Sequence, residues 1–228
     1  MSNMNFSTKN SMTTLAQTFI MGSIDAYTFQ NFHGSFVSAQ TGNLVVFAYE
    51  YATKGWGTAY IRVPVLLGFL LGAFMSQACK HIKLPAERRF NLFLLFSIIF
   101  LGLLTLGAAF NLSMLNMLFS LGLFSGYELT VFNKIGVTSV NNGIMTGNLK
   151  NFANNVYEAI FSRDKSALIK ASHFLSGIIM FVLGIMFSAY VLQAIGTEVF
   201  TAAFMINIIL LMTLYIDYRM TNHQQTIS

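Results

Sequence analysis

The chain has 228 residues, of which 55% are hydrophobic and only 9% charged, against about 25% charged in an ordinary soluble domain. So few charges cannot cover a water-soluble fold of this length, which excludes a soluble enzyme, a nucleic-acid-binding module and a disordered protein. The net charge of +5 comes from basic residues set between apolar stretches, a distribution that reports membrane orientation rather than affinity for nucleic acid.

A helix that crosses a bilayer needs about 20 mostly apolar residues. In chain order, six stretches have that length: 12–32, 58–79, 90–110, 113–133, 166–193 and 197–217. The first holds Gln17, Ser23, Asp25 and Gln30, too polar for a signal-peptide core, so it is expected to remain in the mature protein. Two shorter apolar stretches, 43–54 and 148–162, cannot cross and read as half-helices. No long period-2 alternation appears, as a transmembrane barrel would need. The expected fold is all-α: one integral membrane domain, 1–228, of six transmembrane helices and two half-helices. The lone Cys79 permits no internal disulfide and reads as a small hydrophobe at a span end.

Orientation follows from Lys and Arg. With six crossings, one side receives Lys9, Lys80, Lys83, Arg88, Arg89, Lys134, Lys150, Arg163, Lys165, Lys170 and Arg219, and the other only Lys54 and Arg62. That asymmetry makes both termini cytoplasmic.

The chain repeats itself. Residues 41–48, TGNLVVFA, match 146–153, TGNLKNFA, at six of eight positions and an offset of 105. At an offset of 108, Ile61-Arg62 aligns with Ile169-Lys170, and IIFLGLLTL at 98–106 resembles INIILLMTL at 206–214. With a two-residue gap, Asp25 aligns with Glu128. The repeats cover about 12–110 and 113–217. Each holds three crossings, and an odd number forces the second copy to enter the membrane upside down. Inverted repeats of this kind underlie many transporter folds.

Polar residues inside spans are the functional candidates. A carboxylate at a span centre is costly and usually faces a cavity or a partner, which makes Asp25 and Glu128 candidates for proton or charge handling. Thr41, Gly42 and Asn43, with Thr146, Gly147 and Asn148, open the two half-helices. Helix N-termini carry unpaired N–H groups and partial positive charge, so two converging ends suit an anion or a polar solute. The plainer reading of TGN is a turn and cap: Gly permits unusual backbone angles, while Thr and Asn satisfy free N–H groups. Arg62 and Lys170 read as interfacial anchors, and His33 and His173 as hydrogen-bonded structural residues. Gly68, Gly72 and Ala73 form a close-packing patch. There is no cluster with metal-ligand spacing and no catalytic or nucleotide signature. Neither a metal, a cofactor nor an enzymatic activity is expected.

Gly22-Ser23-Ile24-Asp25-Ala26, then Phe36-Val37 leading to Thr41-Gly42-Asn43, then the second Thr-Gly-Asn, together resemble the YoaK-like family of multi-pass membrane proteins, a domain of unknown function. The likeness covers about 15–215. It implies a bacterial cytoplasmic-membrane protein and supplies no substrate. The residues themselves favour a small-solute transporter or channel with its site between the half-helix N-termini, and a homodimer suits a chain this small. The alternative is a non-transporting scaffold or partner subunit, in which TGN is a packing turn and the acids are structural.

Overall fold

The computed structural model describes residues 5–194 and 199–225. Asn5 caps the first helix by accepting the Thr8 N–H at 2.8 Å, and α1 runs Phe6–Asn31. A loop through His33 and Gly34, both at positive φ, leads to α2, Gln40–Lys54. Gly55, at φ 78°, reverses the chain into α3, Trp56–Ala59, which continues through a 3-10 turn into α4, Val63–Lys80. Pro85 starts α5, Ala86–Ala109, and α6 is Met114–Val131. A small hairpin follows, β1 Lys134–Ile135 and β2 Thr138–Ser139, with Ile135 paired to Thr138. Its Gly136 sits at φ 57° and donates its N–H to Ser11 Oγ at 2.8 Å, which ties the hairpin to α1. Then come α7, Met145–Phe161, α8, Lys165–Ala194, and α9, Val199–Gln225.

Each expected span and half-helix coincides with helix. Among the described residues, four are long and apolar enough to cross a membrane: Trp56–Lys80, Ala86–Ala109, Lys165–Val191 and Val199–Ile216. The helices at the first and fourth expected spans, α1 and α6, are not among them. The reason for α1 is visible in what it buries: Thr13, Thr14, Gln17, Thr18, Asp25 and Thr28 lie on its inner side beside Ile20, Met21 and Ile24. This helix is covered by other helices, and Gln17 Nε2 and Asp25 find partners beyond it, at Asn207 and at Val37 and Ser38. The expected start of the last span at 197 and the Arg219 side chain lie outside the described residues.

Two close helix pairs organise the bundle, α4 with α6 and α1 with α8. Both depend on glycine. A methyl group on Gly126 would run into the Phe69 carbonyl oxygen, and one on Gly72 into that of Leu123. A methyl group on Gly22 would meet the Phe181 carbonyl, and one on Gly184 that of Phe19. Ser23 Oγ lies 3.0 Å from both the Phe19 and the Gly184 carbonyl oxygens, so its one proton is shared between α1's own backbone and the second crossing. The Gly68–Gly72 patch therefore packs within the chain. Without a hydrophobic drive between lipid-immersed helices, such backbone approach supplies contact directly. Around these pairs lies an apolar core of Ile20, Met21, Ile24, Leu121, Phe124 and Phe200, and α5 packs against α9.

Gly126→Leu should push α4 from α6 and cost about 2 kcal/mol or more, as overpacking does. The thermal midpoint of the detergent-solubilised protein, followed by circular dichroism, should fall clearly. Gly57→Ala should leave it unchanged, because nothing lies within 4 Å of the added methyl.

Candidate functional site

The first turns of α2 and α7 are held in the same way. Asn43 Oδ1 accepts the Phe36 N–H at 3.0 Å, and its Nδ2 donates to the Phe36 carbonyl at 2.5 Å. Asn148 Oδ1 accepts the Asn141 N–H at 3.0 Å, and its Nδ2 donates to the Asn141 carbonyl at 2.7 Å. Each asparagine thus binds both backbone groups of the residue seven positions earlier, in a stretch where those groups have no ladder partner. Gly42 and Gly147 leave room for that residue, since a methyl on either would press on the side chain of Phe36 or Asn141, at 3.3 and 3.2 Å. Asn43 and Asn148 are buried, whereas Thr41 and Thr146 are exposed. The TGN motif therefore has three separable parts: an open hydroxyl, a gap, and a clamp on the preceding loop.

Asp25 completes the first loop. It lies on α1, 3% exposed. Its Oδ1 accepts the N–H groups of Val37 at 2.8 Å and Ser38 at 3.1 Å. Its Oδ2 is bonded to Ser38 Oγ. The same Ser38 Oγ lies 2.8 Å from the Gly143 carbonyl oxygen, which joins the loop before α2 to the loop before α7. A hydroxyl has one proton to donate, so Ser38 donates to Asp25 or to Gly143 at a given moment, not to both.

A cavity of about 690 Å³ opens beside this junction. It is lined by Asp25, Phe29 and Gln30 of α1, Phe36 and Ala39 of the following loop, Gly143, Met145 and Thr146 at the start of α7, and Phe181, Ile185 and Ala189 of α8. Phe29 and Phe36 stack with centroids 5.3 Å apart. Of the six TGN residues only Thr146 reaches this cavity.

Glu128 is elsewhere. It is fully buried, and its Oε1 accepts Ser97 Oγ at 2.6 Å. Ser97 Oγ is approached by Asn207 Nδ2 at 3.4 Å, and Asn207 Oδ1 accepts Gln17 Nε2 at 2.6 Å. This polar chain crosses α6, α5, α9 and α1 apart from the cavity. The structure does not bring Asp25 and Glu128 together. Arg62 is 3% exposed and donates Nη2 to the His33 carbonyl at 2.5 Å, pinning the α1–α2 loop. Lys170 and His33 are exposed, and His173 bonds Thr138 Oγ1 at 2.8 Å against the hairpin. Among the described residues no group of three His, Cys, Asp or Glu side chains has the arrangement to hold a metal.

Sequence reasoning missed Ser38 and Gly143. A signal was present: they are 105 residues apart, the offset of the two TGN motifs. Extending that alignment five residues upstream sets Phe36–Gln40 over Asn141–Met145 and pairs the two clamped positions.

Asn43→Ala and Asn148→Ala should each destabilise the protein by about 1–3 kcal/mol, because each strands a loop N–H and carbonyl. Thr41→Ala should be near neutral. Thermal midpoints in detergent check the contrast.

No curated protein and no solved structure matches the chain. The family model DUF1275, described as "Protein of unknown function", matches residues 13–216, and the chain belongs to that family.

Proposed function

We propose that this chain is a small-solute transporter or channel of the bacterial cytoplasmic membrane rather than an enzyme. Both termini are cytoplasmic, six helices span the bilayer, and two inverted three-span repeats carry the solute site between them. The observation that carries the reading is the cavity beside Asp25, where a buried carboxyl, the Ser38–Gly143 bond and Thr146 meet.

The helix registers support the repeat. Gly22 meets Phe181 as Gly126 meets Phe69, and Gly184 meets Phe19 as Gly72 meets Leu123. One offset, 104, carries Phe19 and Gly22 onto Leu123 and Gly126. Another, 112, carries Phe69 and Gly72 onto Phe181 and Gly184. The bond between Ser38 and Gly143 then joins two corresponding positions, as a contact across a two-fold axis does. In this alignment α1 and α6 are corresponding central spans. At about 1.5 Å per residue, their 26 and 18 residues rise about 39 and 27 Å, against about 30 Å of hydrocarbon. Central spans sheltered from lipid tolerate polar side chains that a lipid-facing span does not. The same register sets Asp25 opposite Leu129, not Glu128. Charge handling therefore rests on Asp25, while Glu128 belongs to the polar chain through Ser97.

One observation favours the scaffold reading: Asn43, Asn148 and Asp25 are all bonded within the fold, as packing turns would be. Accessibility separates the two. In a Cys79→Ala background, Thr41→Cys and Thr146→Cys are probed with a membrane-impermeant maleimide from each face. The expected result is Thr41→Cys labelling from outside and Thr146→Cys from the cytoplasm. Labelling of both from one face would sink the inverted repeat. A dark Thr146→Cys beside labelled loop controls would leave the cavity dry and move the scaffold ahead.

A further inference from the structure

We infer that the cavity beside Asp25 is a site for an apolar organic cation, and that the cation exchanges with a proton on Asp25. This deepens the function proposed above by naming the solute class, and it reverses the anion expected from the half-helix N-termini.

The lining chemistry decides the sign. Asp25 is the one formally charged side chain on the cavity wall; α1, the α1–α2 loop, the segment before α7, α7 and α8 contribute no Lys, Arg, His or second acid to that lining among the described residues. The amide groups of Asn43 and Asn148, which would greet an anion, are both bonded to loop backbone. What faces the cavity is acceptor and π surface: the carboxyl of Asp25, the Thr146 hydroxyl, the Gln30 side chain and the stacked rings of Phe29 and Phe36. Aromatic faces attract cations through their quadrupole, and more strongly when water is excluded. A volume of about 690 Å³ falls within the usual range for a drug-sized ligand, about 300–1,000 Å³.

The proton follows from the single hydroxyl hydrogen of Ser38. With Asp25 protonated, its Oδ2–H donates to Ser38 Oγ and Ser38 donates on to the Gly143 carbonyl, so the two loops are bridged. With Asp25 ionised, Ser38 donates to Asp25 and the Gly143 carbonyl is released as a further acceptor at the cavity wall. The ionised state thus adds a negative charge and the released Gly143 carbonyl to the cavity wall. A cation that binds expels one proton from Asp25 to water; the Ser38 hydrogen bond turns from Gly143 to Asp25, and no other covalent bond changes.

The test uses the full chain in lipid nanodiscs with tetraphenylphosphonium as the probe and tetraphenylborate, of the same shape and opposite charge, as its counterpart. Phosphonium should bind, with affinity rising about tenfold per pH unit while Asp25 titrates, as one-proton competition requires. It should release up to one proton per cation, read by a dye in weakly buffered solution. Asp25→Asn keeps the fold, because its Nδ2 can donate to Ser38 Oγ as the protonated acid does. It should lose at least tenfold in phosphonium affinity together with the pH dependence and the proton release. Ala189→Trp fills the cavity from α8 without touching Asp25, and should block phosphonium at an unchanged thermal midpoint. Phosphonium binding indifferent to both variants, or tetraphenylborate binding that Ala189→Trp abolishes, would overturn the inference. Asp25-dependent phosphonium binding without uptake into proteoliposomes would uphold the site and remove the transporter reading. Uptake of a neutral or anionic solute by a protein that does not bind phosphonium would do the reverse.

Discussion

Backbone that leaves a helix inside an apolar bundle must find partners for every N–H and C=O, because lipid offers none. The organisation of this chain follows from that requirement at two places, the loops before α2 and α7. Each uses an asparagine one turn into the following helix to hold both backbone groups of the residue seven positions earlier. The first loop recruits Asp25 as well, which accepts from Val37 and Ser38. The second has no acid in that role; Asn142 Nδ2 instead donates to the Glu128 carbonyl at 3.1 Å. The difference between the loops is what leaves a carboxyl beside the cavity on one side only.

The glycines set the frame in which those loops meet. At both close crossings the backbones approach until a carbonyl of one helix fills the space a side chain would take on the other. Such contacts have almost no adjustable atoms, so they fix helix registers more firmly than interdigitated leucines do. That rigidity is consistent with a small bundle able to hold a cavity of this size open: α1 and α8, which both line it, are locked together by Gly22, Gly184 and the Ser23 bond.

Much of this arrangement was legible in the amino-acid sequence, and the unread parts share a cause. Hydropathy and length located the long helices among the described residues, since apolar runs and their interruptions are local properties. The TGN repeat located the two loops. The role of its asparagines was not legible as ligand versus clamp, because the decisive partners, Phe36 and Asn141, carry no motif of their own and are used only through their backbone. Pairing Asp25 with Glu128 was natural by residue type. The structure gives the two acids different partners, Val37 and Ser38 for Asp25 and Ser97 for Glu128. Ser38 was passed over because a serine in a loop says little until its neighbours are known.

Those partners explain why two buried carboxyls in one small bundle have different chemistry. Glu128 faces Ser97 and the chain that continues through Asn207 to Gln17, which bridges four helices. A polar network of that kind selects one helix arrangement over its competitors. Asp25 also bonds within the fold, but its partners are a loop and a single shared hydroxyl, and its other side is the cavity wall. Both acids accept from a serine hydroxyl, but Ser97 is itself approached by Asn207 Nδ2 at 3.4 Å, whereas Ser38 has a second acceptor within one bond rotation, the Gly143 carbonyl at 2.8 Å. That single rotation is what suits Asp25, of the two acids, to respond to what enters the cavity.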